Sequence, residues 1–276
     1  MSDAIAAMEI AFGDDREVPV RSLLGSSLFM PGRAGPNSGV KVISIVPGNP
    51  VGIVAVFGPE GSPIGIVDGP SLTSIRTGAG CGLATRLLAR PGAKVLAMIG
   101  AGAMAFDQIE AVRTVRPINR VLVWSRDPTK AAALAERVDG EVAIDPDTAV
   151  AVADIVSCAT PARTPLFSDA AIRPGTHINA IGAFTPEMCE VPAETVRRSY
   201  AVVDDLAAAA AEAGDLIQAD RPPVCTLGDI LAGRHPQIGE DVTFFKSVGI
   251  ASQDVAAGAA AIASAVRKRL GLRLRS

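Results

Sequence analysis

Val95-Leu96-Ala97-Met98-Ile99-Gly100-Ala101-Gly102-Ala103-Met104-Ala105 is the stretch that decides the fold. Its first five residues are uninterruptedly apolar, the mark of a buried strand, and its end opens a helical run. Between the two lies G-x-G-x-x-A, in which each small residue has a separate physical role. Gly100 allows a tight turn, Gly102 lets the backbone approach a pyrophosphate, and Ala105 keeps the helix close to the strand. Ala101, Ala103 and Met104 complete a loop whose free N–H groups, backed by the helix dipole, favour phosphate. Alone the string is weak evidence. Its place between a strand and a helix makes it a dinucleotide-binding turn.

The next strand discriminates between dinucleotides. A site for NAD ends that strand with Asp or Glu, about 20 residues past the glycines, to hold the ribose 2′-hydroxyl. Here the run is Val121-Leu122-Val123-Trp124-Ser125-Arg126, with a hydroxyl and a guanidinium at its tip. Arg126 suits a 2′-phosphate through charge-assisted bonds and can stack on adenine. Asp127 is the rival, an NAD-type acid one or two positions late. With Pro128 behind it at a first helical position, it reads better as a helix cap. NADPH is therefore the expected cofactor, with NAD as the alternative.

Strands and helices alternate outward from this turn, the sign of a parallel α/β sheet. Strands are predicted over 94–99, 121–124, 141–144, 155–158, 177–180 and 201–203. Helices are predicted over 103–115, 128–138, 147–152 and 252–270. Before residue 92 the texture differs: β-branched runs at 40–46, 52–57 and 63–68 are separated by Gly/Pro turns at 46–49 and 58–61. A helix over 71–90 follows, stopped by Pro91-Gly92. It holds Gly78, Ala79, Gly80, Gly82 and Ala84, although a glycine costs about 1 kcal/mol relative to alanine inside a helix. Close approach of another helix, or of a bound cofactor, would offset that cost.

Composition narrows the function classes. The 276 residues predict about two domains at roughly 150 residues each, and 49% apolar content supports a real core. Acids and bases nearly balance, 29 against 26, which argues against a general nucleic-acid binder. Aromatics at 4% argue against a base-stacking platform. The two histidines, His177 and His235, and four scattered cysteines give poor prospects for a metal site or a Ser-His-Asp triad, so no metal is expected. His177 lies in an apolar strand and reads as a core histidine. Unpaired cysteine spacing suits a reducing compartment, and no apolar run reaches the roughly 18 residues of a membrane span. A soluble cytoplasmic protein is expected. Arg267, Lys268, Arg269, Arg273 and Arg275 read as favourable charge at a helix end and a solvated tail.

Several further motifs occur in one order. Val18-Pro19-Val20-Arg21, Met30-Pro31, Lys41 and Leu72-Thr73-Ser74-Ile75-Arg76-Thr77 precede the glycine turn. Ala153-Asp154-Ile155, Ala159-Thr160, Pro174-Gly175-Thr176-His177-Ile178-Asn179-Ala180-Ile181-Gly182 and Phe245-Lys246-Ser247-Val248-Gly249 follow it. Together they resemble the ornithine cyclodeaminase/mu-crystallin family over nearly the full chain. The resemblance implies a Rossmann-type doubly wound parallel sheet, residues 93–247, inserted into a smaller α+β substrate and dimerisation domain, residues 1–92 plus 248–276. It also implies a homodimer. By family position, Arg21, Lys41 and Arg76 line the substrate pocket and hold a carboxylate. Thr77, Ala159 and Thr160 border the cofactor, as do Ala180, Gly182, Val248 and Gly249. The residue types agree with these roles, since arginine offers a fork matched to a carboxylate and a desolvated lysine exchanges protons readily. Without the resemblance, Lys41 reads as a solvated edge residue and Arg21 as surface.

Three departures from the family pattern matter. Cyclodeaminases of the family carry an aspartate soon after the Asn-Ala-Ile-Gly strand, where Phe184 stands here, with Glu187 as a substitute only from a shifted loop. Trp124-Ser125-Arg126 resembles the NADPH-dependent ketimine reductases. The chain also begins roughly one strand and one helix later than most relatives, so a trimmed dimer domain or an upstream start is expected. The expected reaction is reduction of a cyclic imine carboxylate, Δ1-pyrroline-2-carboxylate or Δ1-piperideine-2-carboxylate, to L-proline or L-pipecolate. The arginines would fix the carboxylate, Lys41 or a water it orients would keep the imine nitrogen protonated, and Phe184 would wall the ring methylenes. The alternatives are an ornithine or lysine cyclodeaminase using bound NAD, an alanine dehydrogenase-type reductive amination, and a non-catalytic ligand-storage protein.

Overall fold

The computed structural model describes residues 1–46, 51–239 and 241–272. Most of the turn expected over 46–49, together with Arg273 and Arg275, lies outside the described residues. Contacts divide the chain into two units, Thr77–Gly249 with Met1, and Ser2–Arg76 with Ile250–Ser276. The first unit is thus an insertion in the sequence of the second, and the division runs through the helix Gly69–Leu88 rather than after it.

Among the described residues the first unit carries an eight-stranded sheet. Its strand order is Cys225–Thr226, Tyr200–Val203, Thr243–Lys246, His177–Ala180, Ile155–Cys158, Val95–Ile99, Arg120–Trp124, Glu141–Val142. Every pairing is parallel. The central strand shows why: Leu96 and Met98 enter one core with Ile109 and Val123, while Ala97 and Ile99 enter another with Val156 and Ile178. A strand buried on both faces needs helices on both, which is the doubly wound arrangement expected from the apolar run. Strand Thr243–Lys246 was not read from the sequence, because four residues ending in a lysine carry too little pattern; Lys246 is nonetheless fully buried. The glycine-turn helix begins at Ala105 rather than Ala103.

Short polar devices set the ends of these elements. The Asp127 and Asp145 side chains each accept two backbone N–H bonds at helix starts where proline follows. Buried Asp154 accepts the N–H groups of Lys94 and Val95 at 2.7 and 3.1 Å and pairs with Arg90, fixing where the first strand starts. Arg116 donates to the carbonyls of Thr85, Arg86 and Ala89, closing the end of the Gly69–Leu88 helix. His177 is buried between Thr243 Oγ1 (2.9 Å) and Asn179 Oδ1 (3.2 Å), and burial lowers it to about 3, so it stays neutral.

Among the described residues the second unit is a six-stranded antiparallel sheet carrying the helices Ser2–Phe12 and Ala251–Lys268. Glycine at the sheet–helix contact allows close packing: a Cβ at Gly32 would lie 2.7 Å from that of Ala251, and one at Gly65 would lie 2.8 Å from Ile262. Val54 and Val56 face the helix side and are fully buried, while Ile53 and Ile66 on the opposite face are 46% and 61% exposed. Among the described residues no helix is long and apolar enough to cross a membrane.

Gly78, one of the small residues of the Gly69–Leu88 helix, has its reason inside the first unit. A Cβ on Gly78 would lie 2.5 Å from the Asp107 carbonyl oxygen, so this helix meets the first turn of Ala105–Val115 backbone to backbone. Gly78→Ala is a test of sign. Helix propensity alone predicts a gain of about 1 kcal/mol. Overpacking against a backbone carbonyl costs about 1–3 kcal/mol, so a lower urea midpoint is expected. A higher midpoint would show that the helices can separate freely.

Candidate functional site

In the first unit the glycine turn has the form of a phosphate cradle. Gly100 adopts φ 111°, and a Cβ there would lie 2.7 Å from the Ala159 carbonyl oxygen, so only glycine fits. Around Gly102, by contrast, a Cβ would meet nothing within 4 Å: its surroundings are open where a pyrophosphate would approach the backbone. Ala101 and Met104 are partly buried, while Gly102 and Ala103 are exposed. The helix Ala105–Val115 begins without a side-chain cap, which leaves its positive end available to an anion. These residues fit a dinucleotide pyrophosphate.

At the tip of the next strand Ser125 is half-buried and Arg126 is exposed. Asp127 is engaged as the cap of Pro128–Arg137, accepting from Thr129 and Lys130 at 3.0 and 3.3 Å. The acid that could have served a 2′-hydroxyl is thereby committed to the helix.

Buried carboxylates fix the remaining loops at this end of the sheet. Glu190 accepts the Thr160 N–H (2.6 Å) and hydroxyl (2.9 Å) on one oxygen and the Gly182 N–H (2.6 Å) on the other. Asp204 accepts the Val248 and Gly249 N–H groups at 2.9 and 2.7 Å and the Ser247 hydroxyl at 2.8 Å. Ala159 and Ala180 flank these contacts, Ala159 at a strand exit and Ala180 fully buried as the last residue of its strand. Burial pushes the Glu190 carboxyl up to about 7; Lys246 opposes the rise and Asp215 adds to it. Thr77 is buried in the helix Gly69–Leu88.

The second unit gathers the expected cations. Lys41 lies on a central strand, paired with Met30 on one side and Val54 on the other, and is only 4% exposed. It is not a solvated edge residue. Its Nζ donates to Asp254 Oδ1 at 3.3 Å, and Arg76 Nε donates to the same oxygen at 3.1 Å. A second Arg76 nitrogen donates to Gln253 Oε1 at 3.1 Å. Arg21 is half-buried and close enough to act on Lys41 electrostatically. Burial first, and the Arg76 charge after it, bring Lys41 down to about 8 against the opposing pull of Asp254. Two buried cations, Lys41 and Arg76, share one buried carboxylate oxygen, a positive setting suited to an anion. A lysine poised near neutrality can also give up a proton.

Sequence reading missed Asp254, Gln253 and Glu190. The first two belong to Ser252-Gln253-Asp254, three polar residues at the start of an otherwise Ala-rich helix, all fully or almost fully buried. A lone lysine in an apolar strand needs a partner, and that was the available signal. Glu187, considered as a substitute for the family aspartate, is exposed and hydrogen-bonded with Thr185, which holds its carboxyl below the usual range. Phe184 is 51% exposed.

Removing the shared acid tests this electrostatic picture. Asp254→Asn is expected to cost about 3–5 kcal/mol of unfolding free energy, as when one partner of a buried ion pair is lost. It should also move the Lys41 titration, followed by NMR of a ¹³Cε-labelled lysine, below about 8 because the opposing charge is gone. An unmoved titration would remove Asp254 as the compensating group.

Known proteins share both sequence and structure with this chain. Residues 17–269 match the model of the Ornithine cyclodeaminase/mu-crystallin family. The Delta(1)-pyrroline-2-carboxylate reductase of Bacillus cereus is 36% identical over 241 residues, 79% of this chain and 74% of that protein. The solved Delta(1)-pyrroline-2-carboxylate reductase of Thermococcus litoralis, in complex with NADH and L-proline, is 30% identical with a TM-score of 0.91, covering 98% of this chain and 95% of that one. An archaeal alanine dehydrogenase dimer with bound NAD is 28% identical with a TM-score of 0.90, covering 99% and 94%. With the family model matched from Glu17 to Arg269, the chain belongs to the ornithine cyclodeaminase/mu-crystallin family.

Proposed function

We propose that the chain is an oxidoreductase that reduces a cyclic imine carboxylate, Δ1-pyrroline-2-carboxylate or its six-membered homologue, with NADPH. The observation that carries this reading is the sharing of Asp254 by buried Lys41 and Arg76, with Arg21 close enough to act on Lys41. The pair offers a guanidinium fork for a carboxylate and an ammonium that burial brings down to about 8. The arginines hold the substrate carboxylate and so orient the ring. Lys41 gives a proton to the imine nitrogen. When bound, the reduced nicotinamide supplies the hydride to the imine carbon, and C=N becomes CH–NH.

NADPH is preferred on the strength of Ser125 and Arg126 at the strand tip and the commitment of Asp127 to its helix. The solved relatives carry NADH or NAD, so this preference is particular to the chain's own residues. Phe184 argues against cyclodeamination, because a phenyl ring neither pairs with an ammonium nor accepts a proton. The alanine dehydrogenase likeness favours a second reading, reductive amination of an oxoacid, which the same cations would serve. The sheet of the second unit presents Ile53 and Ile66 on its outer face, which supports a homodimer through that face. The four cysteines, none of them in a disulfide among the described residues, suit a reducing cytoplasm.

Purified protein offered NADPH or NADH with either cyclic imine carboxylate, or with pyruvate and ammonia, is expected to oxidise NADPH fastest with a cyclic imine. Fastest turnover with pyruvate and ammonia would transfer the assignment to reductive amination; none with any pair would overturn both. Arg76→Ala is expected to raise KM and lower kcat, with a loss in kcat/KM of about a hundredfold or more. Activity should fall above about pH 8 as Lys41 deprotonates. Arg126→Ala should erase the preference for NADPH. Ile66→Asp should convert a dimer, measured by light scattering, to a monomer.

A further inference from the structure

The strands Ile155–Cys158 and His177–Ala180 are neighbours in the sheet of the first unit, and the loops at 159–160 and 181–182 leave their C-terminal ends. In an open parallel sheet a dinucleotide lies outside those ends, across the point where strand order reverses. The reversal here falls between Val95–Ile99 and Ile155–Cys158. The glycine turn follows the first of these strands and suits the pyrophosphate, and Arg126 lies beyond it on the adenosine side. The loops at 159–160 and 181–182, on the other side of the reversal, are left for the nicotinamide half.

A single side chain holds both loops. Glu190 is fully buried, and its two oxygens divide between them: one takes the Thr160 N–H and hydroxyl, the other the Gly182 N–H, at 2.6–2.9 Å. Space between the loops is so limited that a Cβ on Gly182 would lie 2.5 Å from the Thr160 nitrogen and 2.6 Å from Glu190 Oε1. Glu190 is itself fixed from behind. Its N–H and that of Val191 donate to Asp215 Oδ1 at 2.7 and 3.0 Å. Asp215 Oδ2 lies 2.8 Å from Lys246 Nζ, an ion pair outside hydrogen-bond geometry, with both side chains fully buried. Among the described residues, Asp215, Lys246 and the Cys158 thiol are coupled electrostatically to this carboxylate, and the Cys189 thiol is its neighbour in the chain. Burying three charged side chains is costly unless their geometry is needed. Glu190 itself joins two loops that adjacent strands would otherwise leave to move separately.

We propose that Glu190 is a positioning residue for the nicotinamide half of the cofactor, holding Thr160 and Gly182 at the spacing that half requires. The proposal rests on the nicotinamide-reductase reading above. Aspartate would be too short to reach both loops. Glutamine would keep the shape but turn an NH₂ toward one of the N–H donors.

The test is Glu190→Gln, read by binding rather than turnover. Dissociation constants are measured for NADPH and for the matching 2′-phospho-ADP-ribose fragment, which lacks nicotinamide. NADPH should weaken about tenfold, the size of one lost charge-assisted hydrogen bond, while the fragment stays within about twofold. Equal weakening of both would indicate general damage and overturn the proposal, as would no change in either. If this variant does not fold, Thr160→Val, which removes only the hydroxyl donor, should weaken NADPH several-fold and spare the fragment; unchanged NADPH affinity would overturn the proposal. A wild-type protein that binds NADPH without reducing a cyclic imine would defeat the functional reading yet leave this comparison intact. One that binds no nicotinamide cofactor would defeat both.

Discussion

One carboxylate oxygen, Asp254 Oδ1, takes donors from both Lys41 and Arg76 inside the second unit. An unpaired ammonium on the inner face of a sheet would be prohibitively costly, and a guanidinium beside it would make matters worse. A single acid compensates enough of this charge for the cations to stay buried without neutralising them fully. That partial compensation gives an anion a reason to bind and holds Lys41 near about 8 rather than at its ordinary value. Placing the acid at the start of the Ala251–Lys268 helix adds the favourable helix dipole.

The first unit applies a related device at several points. Asp154, Asp204, Asp215 and Glu190 are buried acids, each collecting two or more backbone N–H groups from other chain segments. A carboxylate with several N–H donors retains much of the solvation it would have in water. Strand starts and strand-exit loops are therefore fixed by side-chain anchors, where short strands of four or five residues provide few ladder bonds of their own.

Much of this was legible in the sequence, for identifiable reasons. The apolar run 95–99 and its glycine turn carried the parallel sheet, because strand burial and turn chemistry are local properties. Asp127 with Pro128 announced a cap for the same reason, and His177 behaves as the core residue its apolar strand implied. Arg21, Lys41 and Arg76 became visible only through a family resemblance. The pairing of Lys41 with Arg76 depends on Asp254, which lies 213 residues from Lys41 and 178 from Arg76, beyond the reach of any local pattern. Strand 243–246 and the Glu190 anchor escaped notice similarly: the first is too short to show a period, and the second is a lone acid whose partners come from two other segments.

The proposed hold of these cations on the carboxylate of a cyclic imine can be measured by calorimetric titration of the cofactor-loaded protein with pyrrole-2-carboxylate, a planar analogue that cannot be reduced, with pyrrole as the uncharged control. The expected result is binding of the carboxylate at least about a hundredfold tighter than pyrrole, with that margin removed by Arg76→Ala. Equal binding of the two compounds, or a margin that survives the loss of Arg76, would contradict it.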